Sequence, residues 1–266
     1  MMHAPLSLKA AECGELISRS RSVAALSGAG ISTSAGIPDF RGPQGLYVTR
    51  RYDPEKVFDI RWFRRDPGFF YEFARDFTDM MATVRPTFTH WFLARLEAAG
   101  KLGGVITQNI DMLHQMAGSR NVVELHGSYG SATCSDCGRG FDALTYAWWD
   151  QAMRSSPLAP VALCPACKGV LKPDIVFFGE MVRGFDEAER MIAESDLFLV
   201  LGSSLTVTPA SLLPHGARGT TVVVNRGPVT LDPSPRRFFI NDDSDAYFRE
   251  VAASLEMNVQ GSGSER

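Results

Sequence analysis

The chain has 266 residues, of which 45% are apolar and 21% are charged, so it can bury a sizeable core as one large domain or as a domain with an insertion. Its formal net charge of −3 gives no reason to expect direct nucleic-acid binding, because nucleic-acid binders usually carry a basic face. It has no signal-peptide pattern and no run of about 18 apolar residues, so we expect a cytoplasmic protein without a membrane span.

The predicted elements alternate between helices and strands. A helical segment at 6–20 leads into the short apolar run of VAALSGAG, which is closed by glycines. Helical patterns follow at 87–99 and 186–194. Further short apolar runs, typical of strands, lie at 105–106, 175–178, 197–201, 222–224 and 238–240. This alternation predicts an α/β fold with a parallel sheet that is covered on both faces.

Two stretches interrupt the alternation. Residues 52–82 are aromatic and helical in composition, with Pro67 positioned to open a second helix. Residues 134–167 carry two pairs of cysteines. We interpret both stretches as insertions that form a smaller module beside the sheet.

A glycine-spaced loop follows the first predicted strand. Gly28 and Gly30 would let backbone amides approach a phosphate at a helix start. Thr33 replaces the third glycine of the usual dinucleotide fingerprint, and the acidic residue expected about 20 positions later is missing. The loop predicts nucleotide binding but leaves a tight strand-to-helix turn open. The PDFR sequence at 38–41 then favours a loop that folds over a planar, charged ligand, with a surface turn as the alternative.

Four of the five cysteines form two knuckle motifs, C-x-x-C-G at 134–138 and C-x-x-C-K-G at 164–169. Four thiolates make a closed tetrahedral zinc site with no open position, so Cys134, Cys137, Cys164 and Cys167 predict a structural zinc. A redox disulfide is the alternative, although cytosolic thiols are usually reduced. The fifth cysteine, Cys13, is expected to pack inside a helix interface.

Several motifs occur in one order along the chain: GAGIS, GIPDFRG, TQNIDMLH, ELHG, the two cysteine pairs, KPDIVFFGE, GSSLTVTPA and VNRG. Together they resemble the sirtuin family of NAD-dependent protein-lysine deacylases over roughly residues 6–251. The resemblance implies a Rossmann-like large domain and a small domain, made of a helical insertion and a four-cysteine zinc ribbon, with NAD in the cleft between them. It implies one catalytic domain at 1–258, with large parts at about 1–38, 84–129 and 173–258, small parts at about 39–83 and 130–172, and a flexible tail at 259–266.

The resemblance also implies which residues hold NAD. The glycine loop would cradle the diphosphate, the PDFR loop would cover the nicotinamide, and later strand ends would contact the ribose and adenosine. In TQNID, Gln108 and Asn109 would face the nicotinamide ribose, and Asp111 with the Ile110 backbone would hold nicotinamide; alone, this segment would be a capped strand-end turn. The implied cofactor residues are Gly28, Ala29, Gly30, Ile31, Thr33, Asp39, Phe40, Arg41, Gln108, Asn109, Ile110, Asp111, Gly202, Ser203, Ser204, Asn225, Arg226 and Asp243.

Among the five histidines, His126 in ELHG matches the general base of the family. An imidazole with an ordinary pKa of about 6.5 can accept a proton at cytoplasmic pH. We expect His114 to be a packing residue or to support the site residues from behind, and His90 to lie on a helix surface or in the core. The implied reaction is attack by the amide oxygen of an acyl-lysine on C1′ of the nicotinamide ribose, which gives lysine, nicotinamide and an O-acyl-ADP-ribose.

The substrate would be an acetyl-lysine protein or peptide that adds as a strand to exposed backbone. The residues implied for it are Val176, Phe178, Gly179, Glu180, Thr206 and Val207. Family members that prefer acidic acyl groups carry Tyr-x-x-Arg. Here the position three residues after Tyr71 holds Ala74, and Arg75, one residue later, lies about 100° further around a helix. Deacetylation is therefore predicted over desuccinylation.

Three other functions remain open. A mono-ADP-ribosyltransferase would break the same glycosidic bond with another acceptor. A nicotinamide oxidoreductase shares the first glycine loop, and a zinc-ribbon nucleic-acid adaptor shares the cysteine pattern. The ELHG histidine argues against the mono-ADP-ribosyltransferase. The missing ribose acid argues against the oxidoreductase, and the low isoelectric point argues against the nucleic-acid adaptor.

Overall fold

The structure is a computed structural model that describes residues 6–38, 52–158 and 160–259. Asp39, Phe40 and Arg41 of the expected nicotinamide loop lie outside these ranges, as do residues 260–266 of the expected tail. The α-helices described are α1 (Ala10–Arg19), α2 (Pro54–Val57), α3 (Ile60–Arg65), α4 (Gly68–Met81), α5 (Phe88–Ala98), α6 (Leu113–Met116), α7 (Tyr146–Arg154), α8 (Phe185–Glu194) and α9 (Ser244–Ser254). None of the helices in these ranges has the length and apolar character needed to cross a bilayer.

The strands described are β1 (Val23–Ser27), β2 (Leu102–Thr107), β3 (Val122–Glu124), β4 (Gly127–Cys134), β5 (Gly140–Phe141), β6 (Leu171–Ile175), β7 (Leu197–Leu201), β8 (Thr220–Val224) and β9 (Arg237–Ile240). Two 3-10 helices lie at Ala29–Ala35 and Ala210–Gly216. The helix predicted at 87–99 and the strand predicted at 197–201 are confirmed, within one residue at each end.

The large sheet has the strand order β3-β2-β1-β7-β8-β9, and every neighbouring pair is parallel. This is the order of the doubly wound Rossmann fold, so the predicted α/β class is confirmed. The order reverses between β1 and β7, which pair in register from Val23↔Leu197 to Ser27↔Leu201. Ligands of such sheets bind outside the carboxyl ends of the strands at the reversal. The loops after Ser27 and Leu201 therefore border the expected cleft.

Helices cover both faces of this sheet, which explains why its central strands are apolar throughout. Every residue of β1 and β7 is buried. Cys13 of α1, Phe92 of α5 and Phe248 of α9 belong to the core on one face. Ile192 of α8 and Leu213 belong to the core on the other face. The packing role expected of Cys13 is confirmed.

A smaller module combines helices α2, α3, α4 and α7 with an antiparallel sheet of order β5-β4-β6. Their side chains form one core, in which the ring of Tyr129 lies within 6.4 Å of the rings of Phe70, Phe77 and Trp149. The indole N–H of Trp149 also donates to the Tyr129 carbonyl oxygen at 2.8 Å. The helical insertion and the cysteine ribbon therefore share a core and depend on each other for stability.

The observed strands differ from the prediction in two places. The apolar run at 175–178 is not a strand of the large sheet, because the preceding residues Leu171–Ile175 pair with β4 of the small sheet and the chain turns at Gly179, with a φ of +94°. Strand β3 was not predicted, since three residues are too short to show a period. The small sheet starts at Gly127 and ends at Ile175, slightly beyond the predicted 130–172 segment, and the full division into large and small parts stays a prediction.

Candidate active site

The glycine loop packs directly against the loop after β7. A Cβ on Gly28 would lie 2.8 Å from the Gly202 carbonyl oxygen, and one on Gly30 would lie 2.7 Å from the Gly202 Cα. Gly202 itself has a φ of +59°, and a Cβ there would overlap the Ile31 nitrogen. All three positions therefore require glycine. The Gly28 and Gly30 amides donate to the carbonyl oxygens of Leu201 and Gly202, both at 2.9 Å, which fixes the two loops together.

The loop continues as the 3-10 helix Ala29–Ala35 rather than as the α-helix of a dehydrogenase. Ile31 is buried in the core of the large sheet, so its side chain faces away from solvent. Thr33 is exposed, and its hydroxyl donates to the Gly30 carbonyl oxygen at 3.0 Å. Ile31 can therefore contact a ligand only through its backbone.

The TQNID segment leaves β2 and meets the glycine loop in one polar cluster. The side-chain amide of Asn109 donates to the Gly28 carbonyl oxygen at 3.1 Å and to Ser32 Oγ at 3.2 Å. Ser32 Oγ donates to the Asp111 carboxylate at 2.6 Å. Sequence analysis did not single out Ser32. The one indication in the sequence is that this serine belongs to the GAGIS motif, and in the structure its side chain is buried. The cluster joins two motifs that lie about 80 residues apart in the sequence.

Asp111 is buried at the base of this cluster. Burial raises its pKa, and hydrogen bonds from the Ser32 hydroxyl and the Leu113 amide partly offset the rise by favouring the ionised carboxylate. A carboxylate with a perturbed pKa inside a cleft is typical of a functional site. It can accept a hydrogen bond from a carboxamide NH₂ group. The Ile110 carbonyl oxygen next to it accepts a hydrogen bond from the Tyr146 hydroxyl at 3.4 Å.

His126 lies between β3 and β4 and is oriented by the backbone of TQNID. Its Nδ1 lies 2.8 Å from the Gln108 carbonyl oxygen. Because a carbonyl oxygen can only accept, Nδ1 carries the proton and Nε2 of the neutral ring keeps its lone pair. Burial lowers the pKa of His126, and the hydrogen bond to Gln108 opposes that shift. The imidazole is therefore a neutral base with a fixed tautomer near neutral pH.

Gly127, directly after this base, brings the small sheet close to it. Its φ is +65°, and a Cβ there would overlap the Asp174 carbonyl oxygen of β6. The Val176 amide donates to the His126 carbonyl oxygen at 2.7 Å. The glycine of ELHG is therefore needed to hold the base beside the segment that follows β6.

Two further histidines form a buried pair behind the site. His90 and His114 are at most 1% exposed, and their rings lie 4.7 Å apart. His114 Nε2 lies 2.8 Å from Ser27 Oγ, which donates to Thr107 Oγ1. The Thr87 amide donates to His90 Nδ1 at 3.2 Å. Of the two positions expected for His90, the structure shows the core, and it buries His114 with its ring nitrogen against Ser27.

This pair predicts acid sensitivity. Burial lowers the pKa of His114 to about 3 and that of His90 well below 6.5, so the unfolded chain takes up protons below pH 6.5 that the folded chain does not. Stability is therefore lost as the pH falls from about 6.5, by about 2 kcal/mol per histidine near pH 5. Urea unfolding near pH 7 and pH 5 measures this loss. In His114→Gln the loss should be smaller than in the wild type, and an equal loss would contradict the prediction.

The residues assigned to adenosine lie at the ends of β7, β8 and β9. Ser203 Oγ accepts from the Gln108 side-chain amide at 2.9 Å, which links this region to the base. The Asn225 side-chain amide donates to the Arg226 carbonyl oxygen at 3.0 Å, and a cavity of about 410 Å³ lies beside Asn225. Asp243 caps α9 by accepting from the Ala246 amide and pairs with Arg226 at 3.3 Å. Asp243 therefore has a structural role as the cap of α9.

The residues assigned to the peptide lie on two segments that form the expected peptide edge, 176–180 after β6 and 206–207 in the loop after β7. Phe178 is 54% exposed, its amide donates to the Phe58 carbonyl oxygen at 2.7 Å, and its own carbonyl oxygen accepts from Ile60 at 3.2 Å. On the second segment, Thr206 is exposed and Val207 is half-buried. Ser204 Oγ lies 3.1 Å from Thr206 Oγ1. The Glu180 carboxylate, by contrast, bonds to neighbouring groups of its own segment.

The four paired cysteines converge in the small module, and their sulfur atoms all lie within 4.8 Å of one another. Cys134 Sγ lies 3.4 Å from Cys167 Sγ, and Cys137 Sγ lies 4.0 Å from Cys164 Sγ. A tetrahedral zinc with Zn–S bonds of about 2.3 Å requires sulfurs about 3.8 Å apart, so the cluster fits zinc. Gly138 and Lys168 take equivalent left-handed positions, with φ of +69° and +65°.

Comparison with known proteins agrees with this geometry. The sequence model of the Sir2 family matches residues 28–209. An NAD-dependent protein deacetylase of Sulfolobus acidocaldarius is 44% identical over 206 residues, which cover 77% of this chain and 78% of that protein. An NAD-dependent protein deacetylase of Thermotoga maritima is 40% identical over 230 residues, which cover 85% of this chain and 90% of that protein.

Solved structures give the same result. A Sir2 structure with a deacetylated p53 peptide and 3′-O-acetyl ADP ribose has a TM-score of 0.83 and 37% identity, and the match covers 94% of this chain and all of that one. A Sir2 structure with p53 peptide and NAD⁺ has a TM-score of 0.80 and 37% identity, covering 92% of this chain and 98% of that one. With its Rossmann sheet, its cysteine ribbon and the motifs gathered at their junction, the chain belongs to the Sir2 family.

Proposed function

We propose that the chain is an NAD-dependent protein-lysine deacetylase that releases nicotinamide and O-acetyl-ADP-ribose. The observation that carries the proposal is the His126 imidazole, whose Nδ1–H is fixed on the Gln108 carbonyl oxygen and whose Nε2 can accept a proton. The relatives named as deacetylases and the Sir2 structures with peptide and acetyl-ADP-ribose support it.

The proposed mechanism assigns a task to each part of the site. Bound NAD would supply the anomeric carbon, which would lose nicotinamide and bond to the oxygen of the acyl-lysine; addition of one water would then release the lysine amine and leave the acyl group on the ribose. Asp111 and the Ile110 backbone orient the departing carboxamide, and Asn109 holds the loop that faces the ribose. His126 removes a proton from a ribose hydroxyl, and the Gln108 carbonyl oxygen stabilises the resulting imidazolium.

The structural zinc belongs to the same proposal. The four thiolates leave no open position for a substrate, so the metal holds the small module in shape. The substrate is an acyl-lysine in a peptide or protein, as in the Sir2 structures with acetylated and propionylated peptides. Residence in the cytoplasm and the lack of direct nucleic-acid binding stay predictions from the sequence.

The direct test is incubation with NAD and an acetyl-lysine peptide, followed by mass spectrometry. We expect free lysine peptide, nicotinamide and O-acetyl-ADP-ribose in equal amounts. Transfer of ADP-ribose to protein, with the acetyl group retained, would support the mono-ADP-ribosyltransferase alternative. Reduced cofactor without nicotinamide release would support an oxidoreductase.

Acetyl should be preferred over succinyl by at least about tenfold in kcat/KM, because the Tyr-x-x-Arg position in the described helix α4 holds no arginine to pair with a second carboxylate. Tyr71 is fully buried and its hydroxyl donates to the Leu171 carbonyl oxygen at 2.5 Å. Arg75, half-exposed on the same helix, pairs with Asp76 at 3.3 Å. Rates with acetyl and succinyl forms of one peptide measure the ratio, and Arg75→Ala should leave it unchanged. A succinyl preference in the wild type would refute the assignment.

A further inference from the structure

Lys172 is a nearly buried lysine in the strand that leads to the peptide edge. Its side chain is 14% exposed, and its ammonium donates to the Ile175 carbonyl oxygen at 2.8 Å and to the Glu180 carboxylate at 2.9 Å. The same ammonium lies 4.5 Å from the centroid of the Phe177 ring. Lysine is seldom buried unless its charge is paired, and burial lowers the pKa of Lys172. So specific a set of contacts calls for a role.

Glu180 completes the arrangement from the other end of the segment. Its carboxylate also accepts from the Phe177 amide at 2.9 Å, and its own amide donates to the Phe177 carbonyl oxygen at 3.0 Å. Between them, Gly179 has a φ of +94°, so the backbone reverses sharply there. The ion pair therefore holds the end of a turn in which the side chain of Phe178 is exposed.

We propose that Lys172 and Glu180 form a positioning clamp that holds segment 175–180 in the shape required to bind an acyl-lysine peptide. This inference rests on the proposed deacetylase function. The clamped segment contacts His126 through the Val176 amide and contacts the helical insertion through Phe178. The peptide edge and the base are thus held on one short, rigid stretch of backbone.

The clamp changes the part assigned to Glu180. Sequence analysis predicts a residue that contacts substrate, whereas the structure gives its carboxylate to Lys172 and to the Phe177 amide. In the small sheet, Lys172 of β6 lies opposite Thr133 of β4, next to the opposing residues Leu171 and Cys134. The clamp therefore connects the peptide edge to the cysteine ribbon through backbone hydrogen bonds.

The test uses the zinc-loaded full chain with the acetyl-lysine peptide and NAD. In Lys172→Met, which keeps the length but removes the charge, the KM for peptide should rise about tenfold while the KM for NAD stays within about twofold. Lys172→Arg should restore most of the peptide affinity. Glu180→Gln should raise the peptide KM similarly, and this nearly isosteric variant serves if Lys172→Met does not fold. The double variant should have a peptide KM little higher than that of either single variant.

A matched control is Arg154→Met, which removes a cation from exposed ion pairs with Asp79 and Asp150 in the same module and should leave both KM values unchanged. An active wild type with an unchanged peptide KM in the folded clamp variants would overturn the clamp alone. Equal increases in both KM values would also overturn it, since they indicate general loosening. An inactive wild type would instead remove the proposed function.

Discussion

His126→Ala is expected to reduce kcat for an acetyl-lysine peptide roughly a thousandfold while NAD still binds. The variant removes the Nε2 lone pair that accepts the proton, but it leaves the glycine loop, Asn109 and Asp111 in place because none of their hydrogen bonds described here involves this side chain. Steady-state rates and calorimetric NAD binding measure the two effects separately.

The matched control for this prediction is His215→Ala, since His215 is exposed and lies on the second 3-10 helix rather than in the ELHG segment. We expect its turnover and NAD affinity to equal those of the wild type. Turnover of His126→Ala within a few-fold of the wild type would show that another group accepts the proton. A loss of NAD binding as large as the loss of rate would show that His126 organises the cleft instead.

Removing zinc, or replacing one ligand in Cys137→Ser, should unfold the small module. Cys134 and Cys164 belong to the same core as Tyr129 and Trp149, so loss of the metal that ties them to Cys137 and Cys167 loosens this core and exposes the apolar faces of the helical insertion. The expected cost is at least about 4 kcal/mol, which lowers Tm on the order of 10 °C. Metal analysis, thermal unfolding with and without chelator, and deacetylation rates measure the effect.

Cys13→Ala is the control, because Cys13 lies in the core of the large sheet and not in the cysteine cluster. It should retain one zinc per chain and its peptide turnover, although its Tm will fall slightly through lost packing. Full activity and an unchanged Tm after complete zinc removal would contradict a structural role for the metal.

The fold could be predicted from the sequence where burial leaves a pattern in it. Strands β1 and β7 are buried on both faces and are therefore continuous apolar runs, and the cysteine knuckles have a spacing that only a few sites use. The order of the strands could not be predicted from these runs, because β1 pairs with a strand about 170 residues away. The three residues of β3 carry too little pattern to be found at all.

The site divides in the same way. His126, the glycines and the cysteines lie in motifs, so their positions follow from the sequence and its family resemblance. The tautomer of His126 depends on a backbone carbonyl oxygen from another segment, and the bond from Ser32 to Asp111 joins two loops that only the fold brings together. The Glu180 carboxylate pairs with Lys172, eight residues earlier, which no spacing rule indicates.

The most direct measurement of the central claim is a crystal structure of the chain with NAD and an acetyl-lysine peptide. The account predicts that His126 Nε2 lies within about 3.2 Å of a hydroxyl of the nicotinamide ribose, with the acetyl oxygen facing C1′ of that ribose. It also predicts that the peptide backbone pairs with segment 176–180. An imidazole turned away from the ribose, or a peptide bound elsewhere on the chain, would contradict it.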